Sequence, residues 1–114
     1  MPETDVFAAL ASPVRRQLLG LLRERDGLAV AELASHFAMQ RPSVSEHLKV
    51  LREAGLVSEQ RQGRQRLYRL EAVPLLEVSQ WLSPYERFWR EKLSNLRELL
   101  DGMDEGTDGM NDDA

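Results

Sequence analysis

The chain contains no cysteine, and that absence removes disulfides, thiolate metal sites, cysteine nucleophiles and thiol-based redox sensing together. Long hydrophobic runs are also missing. No N-terminal stretch resembles a signal peptide, and none approaches the roughly 18 apolar residues of a membrane span. A cytoplasmic protein without membrane contact is the expectation. Histidine is scarce, with His36 and His47 the only two, and two distant imidazoles do not build a transition-metal site within one chain. Glycines are scattered rather than gathered into a phosphate-cradling loop. No nucleophile–base pair or paired-carboxylate spacing stands out, so neither catalysis nor a cofactor or metal is expected.

What is present fits one soluble domain: 114 residues, 42% hydrophobic and 30% charged, enough for a modest core. The net charge of −4 conceals a segregation. Of the 19 acidic residues, six lie in DGMDEGTDGMNDDA, residues 101 to 114, which holds no base. Residues 1–100 therefore carry 13 acids against 15 bases, and residues 13–69 carry six against 11. The acidic tail with its three glycines reads as disordered. The expected organisation is a folded domain over 1–100 and a tail over 101–114.

Periodicity gives a mainly helical chain with one small hairpin. Residues 5–11 form a short helical segment, capped by Thr4 or Asp5. Ser12-Pro13 restarts the chain as N-cap and first-turn proline. The helix that follows places Val14, Leu18, Leu21 and Leu22 on one face and stops near Gly27. A brief extended piece over 28–30 leads to a third helix, AELASHFA, with Leu33, Ala34 and Phe37 inward. A fourth helix, 42–54, buries Val44, Leu48 and Leu51 and ends at Gly55. Two strands, 56–61 and 64–70, then meet through Gln62-Gly63. Two helices on a compact turn, followed by a basic hairpin wing over 56–70, describe a winged helix-turn-helix. From Pro74 a long C-terminal helix or helix pair is expected, with a kink or break at Ser83-Pro84. Trp81, Tyr85, Phe88, Trp89, Leu93, Leu96 and Leu100 make it more apolar than so small a domain easily covers.

The runs LASPVRRQLLGLL (10–22), VAELASHFAMQRPSVSEHLKVLREAGLV (30–57) and GRQRLYRL (63–70) resemble the ArsR/SmtB family of winged-helix transcription regulators. They span about half the chain, in order, and the core from Ser45 to Val57 is fairly specific. The run WLSPYERFWREKLSNLRELL is similar to a branch whose members often lack metal-binding residues. The resemblance implies a homodimer whose paired recognition helices enter successive major grooves of operator DNA. It also implies an interface built from the first and last helices: Phe7 and Leu10, then Trp81, Tyr85, Phe88, Trp89, Leu93 and Leu96. The sequence departs from the family in lacking the cysteine pair near the recognition helix, in having no histidine on the last helix, and in carrying Glu46 where arginine or a neutral residue is more usual.

The candidate DNA-contacting residues are Gln40 and Arg41 in the turn before the fourth helix and Ser43, Ser45, Glu46, His47 and Lys49 on it. Arg41 and Lys49 can reach phosphate or guanine, the serines and His47 can donate to phosphate, and Glu46 can accept from a cytosine amino group. A solvated face is the plainer reading, and His47 could equally be a structural histidine at the helix edge. Arg61, Arg64 and Arg66 crowd one hairpin tip, where they can reach phosphates or a narrow minor groove. Edge-strand charge that blocks aggregation is their bland alternative. Arg15 and Arg16 can touch phosphate or serve as surface charge, and His36 is read as a surface residue. The aromatic stripe at 81–89 is read as core or dimer interface, with a small apolar effector held between subunits as the alternative. The resulting expectation is a homodimeric repressor; the alternative is a winged-helix module that binds another protein.

Overall fold

Asp5 and Ser12 each start a helix by the same chemistry. In the computed structural model, which describes residues 5–106, Asp5 accepts the Ala8 N–H at 2.7 Å and opens α1, Val6–Ala9. Ser12 accepts the Arg15 N–H and opens α2, Pro13–Glu24, with Pro13 at the first helical position. Gly27, with φ +86°, turns the chain into the short strand β1, Leu28–Ala29. Then follow α3, Val30–Ala34; α4, Arg41–Glu53; β2, Val57–Gln62; β3, Gln65–Leu70; and α5, Leu75–Gly106.

The core comes from apolar faces meeting at the helix crossing. Leu18 and Leu22 of α2, Leu33 of α3, and Val44, Leu48 and Leu51 of α4 are buried together with Leu28, Leu56 and Val57. Leu19 is buried as well, whereas Val14 and Leu21 are only partly covered. The C-terminus of α4 is a Schellman motif: the Leu56 N–H donates to the Leu51 carbonyl, the Gly55 N–H to that of Arg52, and Gly55 takes φ +79°. This turn delivers Leu56 into the core and starts the wing.

Four expectations are corrected. The third helix ends at Ala34 instead of 38, because the Ser35 hydroxyl bonds back to Glu32, and His36 and Phe37 donate to carbonyls three residues back. The fourth starts at Arg41, which leaves Pro42 at its second position, where the missing N–H costs nothing. The hairpin turn is Gly63-Arg64, flanked by the pair Gln62↔Gln65, one residue later than expected. Gly63 has φ +64° and Arg64 does not share the positive sign, as a type II′ turn requires. The wing also gains a third strand, with order β1-β3-β2 and Leu28 paired to Tyr68.

The C-terminal segment is one helix, not a pair. The 32 residues of α5 run through Pro84 without a break, so one backbone hydrogen bond is forgone inside an otherwise continuous ladder. The helix includes 101–106, the first part of the stretch expected to be disordered; the remainder of that expectation lies outside the described residues. The chain parts into two compact units between Ser79 and Gln80. The first holds the winged helix-turn-helix, the second the rest of α5.

Candidate nucleic-acid interface

Because α4 turns Val44, Leu48 and Leu51 into the core, Pro42, Glu46 and Lys49 fall on the opposite side, and Ser45 and Arg52 stand on the flank. Gln40, Arg41, Ser43, Ser45, Glu46 and Lys49 are all exposed. Strand parity does the same for the wing. Glu59 and Arg61 of β2 share a sheet face with Arg66 and Tyr68 of β3, in the pairs Glu59↔Tyr68 and Arg61↔Arg66. Two arginines directly opposite each other repel, so positive charge concentrates close to the wing's tip, with Arg66 offset in part by Glu59.

Hollows run between helix and wing. Arg41 and Ser45 of α4 face Arg64, Gln65, Arg66 and Tyr68 across a cleft of about 340 Å³. A second hollow joins Ser45, Glu46 and Lys49 to Arg66 and Tyr68. A third gathers Arg52, Glu59, Arg61 and Arg66. The expected residues Arg41, Ser45, Glu46, Lys49, Arg61, Arg64 and Arg66 are thus brought to one side of the winged unit. Gln40 and Ser43 are exposed around the start of α4 but line none of these hollows.

His47 is half-buried and turns toward α2, where its Nδ1 lies 3.2 Å from Arg15 Nη1. Arg15 also donates to the carbonyls of Ala9, at 2.7 Å, and Ala8, at 3.2 Å. Arg16 donates to Leu10 at 2.7 Å. Both guanidiniums therefore hold carbonyls at the end of α1. His36 is exposed in the turn after α3.

Three participants were not expected from the sequence. Arg52 of α4 and Arg66 of β3 (the latter at 3.1 Å) both bridge to Glu59, whose side chain is only 15% exposed. Arg66 was expected on DNA, not on a carboxylate. Tyr68 is the cross-strand partner of Glu59, and its phenol is pushed above the ordinary value, first by burial and then by the Glu59 charge, against the opposing pull of Arg52 and Arg66. Strand alternation from Val57, together with Arg52 four residues past Leu48, was the available signal.

The residues expected at a subunit interface are accessible. In the winged unit Phe7 is exposed and Leu10 half-buried. In the second unit Trp81, Tyr85, Phe88, Trp89, Leu93 and Leu96 are all exposed, Phe88 and Leu93 at 63%. The Trp81 and Tyr85 rings lie 5.3 Å apart, tilted by 39°. Among the described residues, no cluster of three or more His, Cys, Asp or Glu could hold a metal ion, and no helix is long and apolar enough to cross a membrane.

A family profile described as a helix-turn-helix domain matches residues 10–60. The HTH-type transcriptional regulator Rv2034 of Mycobacterium tuberculosis is 39% identical over 101 residues, covering 89% of this chain and 91% of the relative. The transcriptional repressor SdpR of Bacillus subtilis is 35% identical over 78 residues, covering 68% and 86%. Among solved structures, that of an ArsR family transcriptional regulator superposes with a TM-score of 0.65 at 37% identity, covering 74% of this chain and 86% of its own.

Proposed function

Because this chain belongs to the ArsR/SmtB family of winged-helix transcription regulators, and is therefore a DNA-binding regulator, we propose that it acts as a homodimeric repressor in the cytoplasm. Each protomer lays α4 in a major groove and sets its wing on the neighbouring backbone or minor groove. The observation that carries this reading is the grouping of Arg41, Ser45, Lys49, Arg61, Arg64 and Arg66 on one side of one folded unit, around the hollows between α4 and the wing. The cross-strand pair Arg61↔Arg66 supports it: two like charges side by side, only one of them offset by Glu59, are relieved further by a polyanion.

Ser45, Glu46 and Lys49 then read base edges, while Arg41, Arg64 and the rest of the wing hold phosphates. Dimerisation would use Phe7, Leu10 and the apolar stripe of α5, whose exposed leucines and aromatics exceed what an isolated soluble helix tolerates. Release from DNA would come from an effector that favours a different spacing of the two recognition helices. We assign the protein no catalytic step.

The test is duplex binding, measured across salt with DNA from upstream of its own gene. Wild-type affinity should fall steeply with salt. Arg64→Ala should weaken binding to every sequence and reduce the salt slope by about 1 for each phosphate the protein no longer neutralises. Ser45→Ala should instead change the ranking among sequences. A chain indifferent to all duplexes in low salt would point to the protein-binding alternative.

A further inference from the structure

Glu59 is out of place on a surface that meets DNA. A carboxylate repels phosphate, yet this one stands on the sheet face it shares with Arg61 and Arg66. It is also the most covered partner in its ion pairs: its side chain is 15% exposed, whereas Arg52 and Arg66 are 47% and 60% exposed. The two guanidiniums come from different elements, the last turn of α4 and the strand β3. They converge on the two oxygens of one carboxylate, Arg52 on Oε1 and Arg66 on Oε2. Tyr68 stands directly across the strands from Glu59, on the same sheet face. Each arginine gives one N–H to this carboxylate, and guanidinium donors take phosphate oxygens as readily as carboxylate oxygens.

We propose that Glu59 is an internal stand-in for a DNA phosphate, occupying Arg52 and Arg66 so that they engage a duplex only where a backbone phosphate arrives correctly placed to displace it. The inference rests on the DNA-binding reading above and names the residue that sets its discrimination. Ion pairs with exposed arginine partners are weak and yield to a competing anion, so the exchange is open to a well-placed phosphate. A phosphate that arrives out of place cannot reach both guanidiniums, so Glu59 keeps them. Non-cognate affinity then comes mainly from Arg41, Lys49, Arg61 and Arg64, none of which has an ion pair among the described residues. Cognate affinity gains the two masked cations in addition. Specificity is a difference of affinities, and a group that penalises the wrong partner raises it as surely as one that attracts the right one.

The full-length chain tests this in two ways. The first uses no DNA: elution from phosphocellulose in a salt gradient is compared for wild type, Glu59→Gln, and Glu77→Gln, which makes the same charge change outside the cluster. Glu59→Gln should elute at clearly higher salt than Glu77→Gln, because it unmasks two arginines as well as removing one charge. Co-elution of the two variants overturns the proposal. If Glu59→Gln does not fold, Glu59→Asp serves instead. It keeps the formal charge but cannot span both guanidiniums, so later elution than wild type supports masking and co-elution with wild type refutes it.

The second way titrates duplexes, one selected by the wild-type chain from a random pool and one scrambled. Glu59→Gln should bind the scrambled duplex about tenfold more tightly, with a salt slope steeper by about 0.9 for each additional phosphate neutralised. Affinity for the selected duplex should change less, so the ratio between them falls. Weaker binding to both duplexes at an unchanged slope would make Glu59 a merely structural residue and sink the idea. A wild-type chain that binds no duplex, beside a Glu59→Gln variant still retained longer on phosphocellulose, would remove the proposed function and leave the masking in place.

Discussion

Arg15 of α2 and His47 of α4 meet with the guanidinium Nη1 3.2 Å from the imidazole Nδ1. A guanidinium has only donors, so Nδ1 accepts, and the neutral ring carries its proton on Nε2. The same arginine holds the Ala8 and Ala9 carbonyls, so one side chain ties the end of α1 to α4. Any hydrogen bond His47 makes to DNA as a neutral ring is therefore donated by Nε2.

Nitrogen NMR of the imidazole should accordingly find the Nε2-protonated form in wild type. Arg15→Ala should lose that preference and lower the unfolding free energy by about 1.5–3 kcal/mol, the range for hydrogen bonds to a charged group. A wild-type His47 protonated on Nδ1 would contradict the assignment outright.

Gly55→Ala isolates a backbone effect. A β-carbon there would lie 3.5 Å from Pro74 Cγ, an ordinary contact, so space is not the obstacle. The obstacle is φ +79°, which costs a residue with a side chain about 1–2 kcal/mol. Urea unfolding should show a loss of that size with an unchanged m-value; a neutral result would mean the turn after α4 can relax.

Glu46 is exposed on the outer face of α4. As a base reader it accepts from a cytosine amino group, whereas glutamine pairs with adenine. Glu46→Gln should therefore move the preference at one operator position from cytosine toward adenine, by about 1–3 kcal/mol of discrimination. Selection from random duplexes reads this directly, and an unchanged consensus would return Glu46 to a solvated surface role.

Leu93→Glu probes the apolar stripe of α5, where Leu93 is 63% exposed. A charge at the centre of an apolar interface should shift sedimentation from dimer to monomer at micromolar protein, with helix content by circular dichroism preserved. Wild type and variant sedimenting alike would place the subunit interface elsewhere.

Much of this molecule was legible in one dimension. The caps at Asp5 and Ser12, the buried trio Val44, Leu48 and Leu51, and the stop at Gly55 follow from rules that act within a turn or two of helix. Element edges were less so. The third helix stops early because the Ser35 hydroxyl competes for a carbonyl, and Pro84 sits within a continuous helix despite the hydrogen bond it lacks. Both outcomes depend on small differences that a periodic pattern does not weigh.

The order of residues alone determined which faces are apolar and where glycine ends a helix, since those depend on spacing and on backbone sterics. Three-dimensional packing decided which charges meet. Arg15 finds His47 across 32 positions of chain, and Glu59 gathers Arg52 and Arg66 from either side. An arginine at a wing tip looks the same in the sequence whether it is free or already holding a carboxylate. Only the folding of α4 against the sheet sets that distance, and electrostatic attraction depends on distance in space, not along the chain.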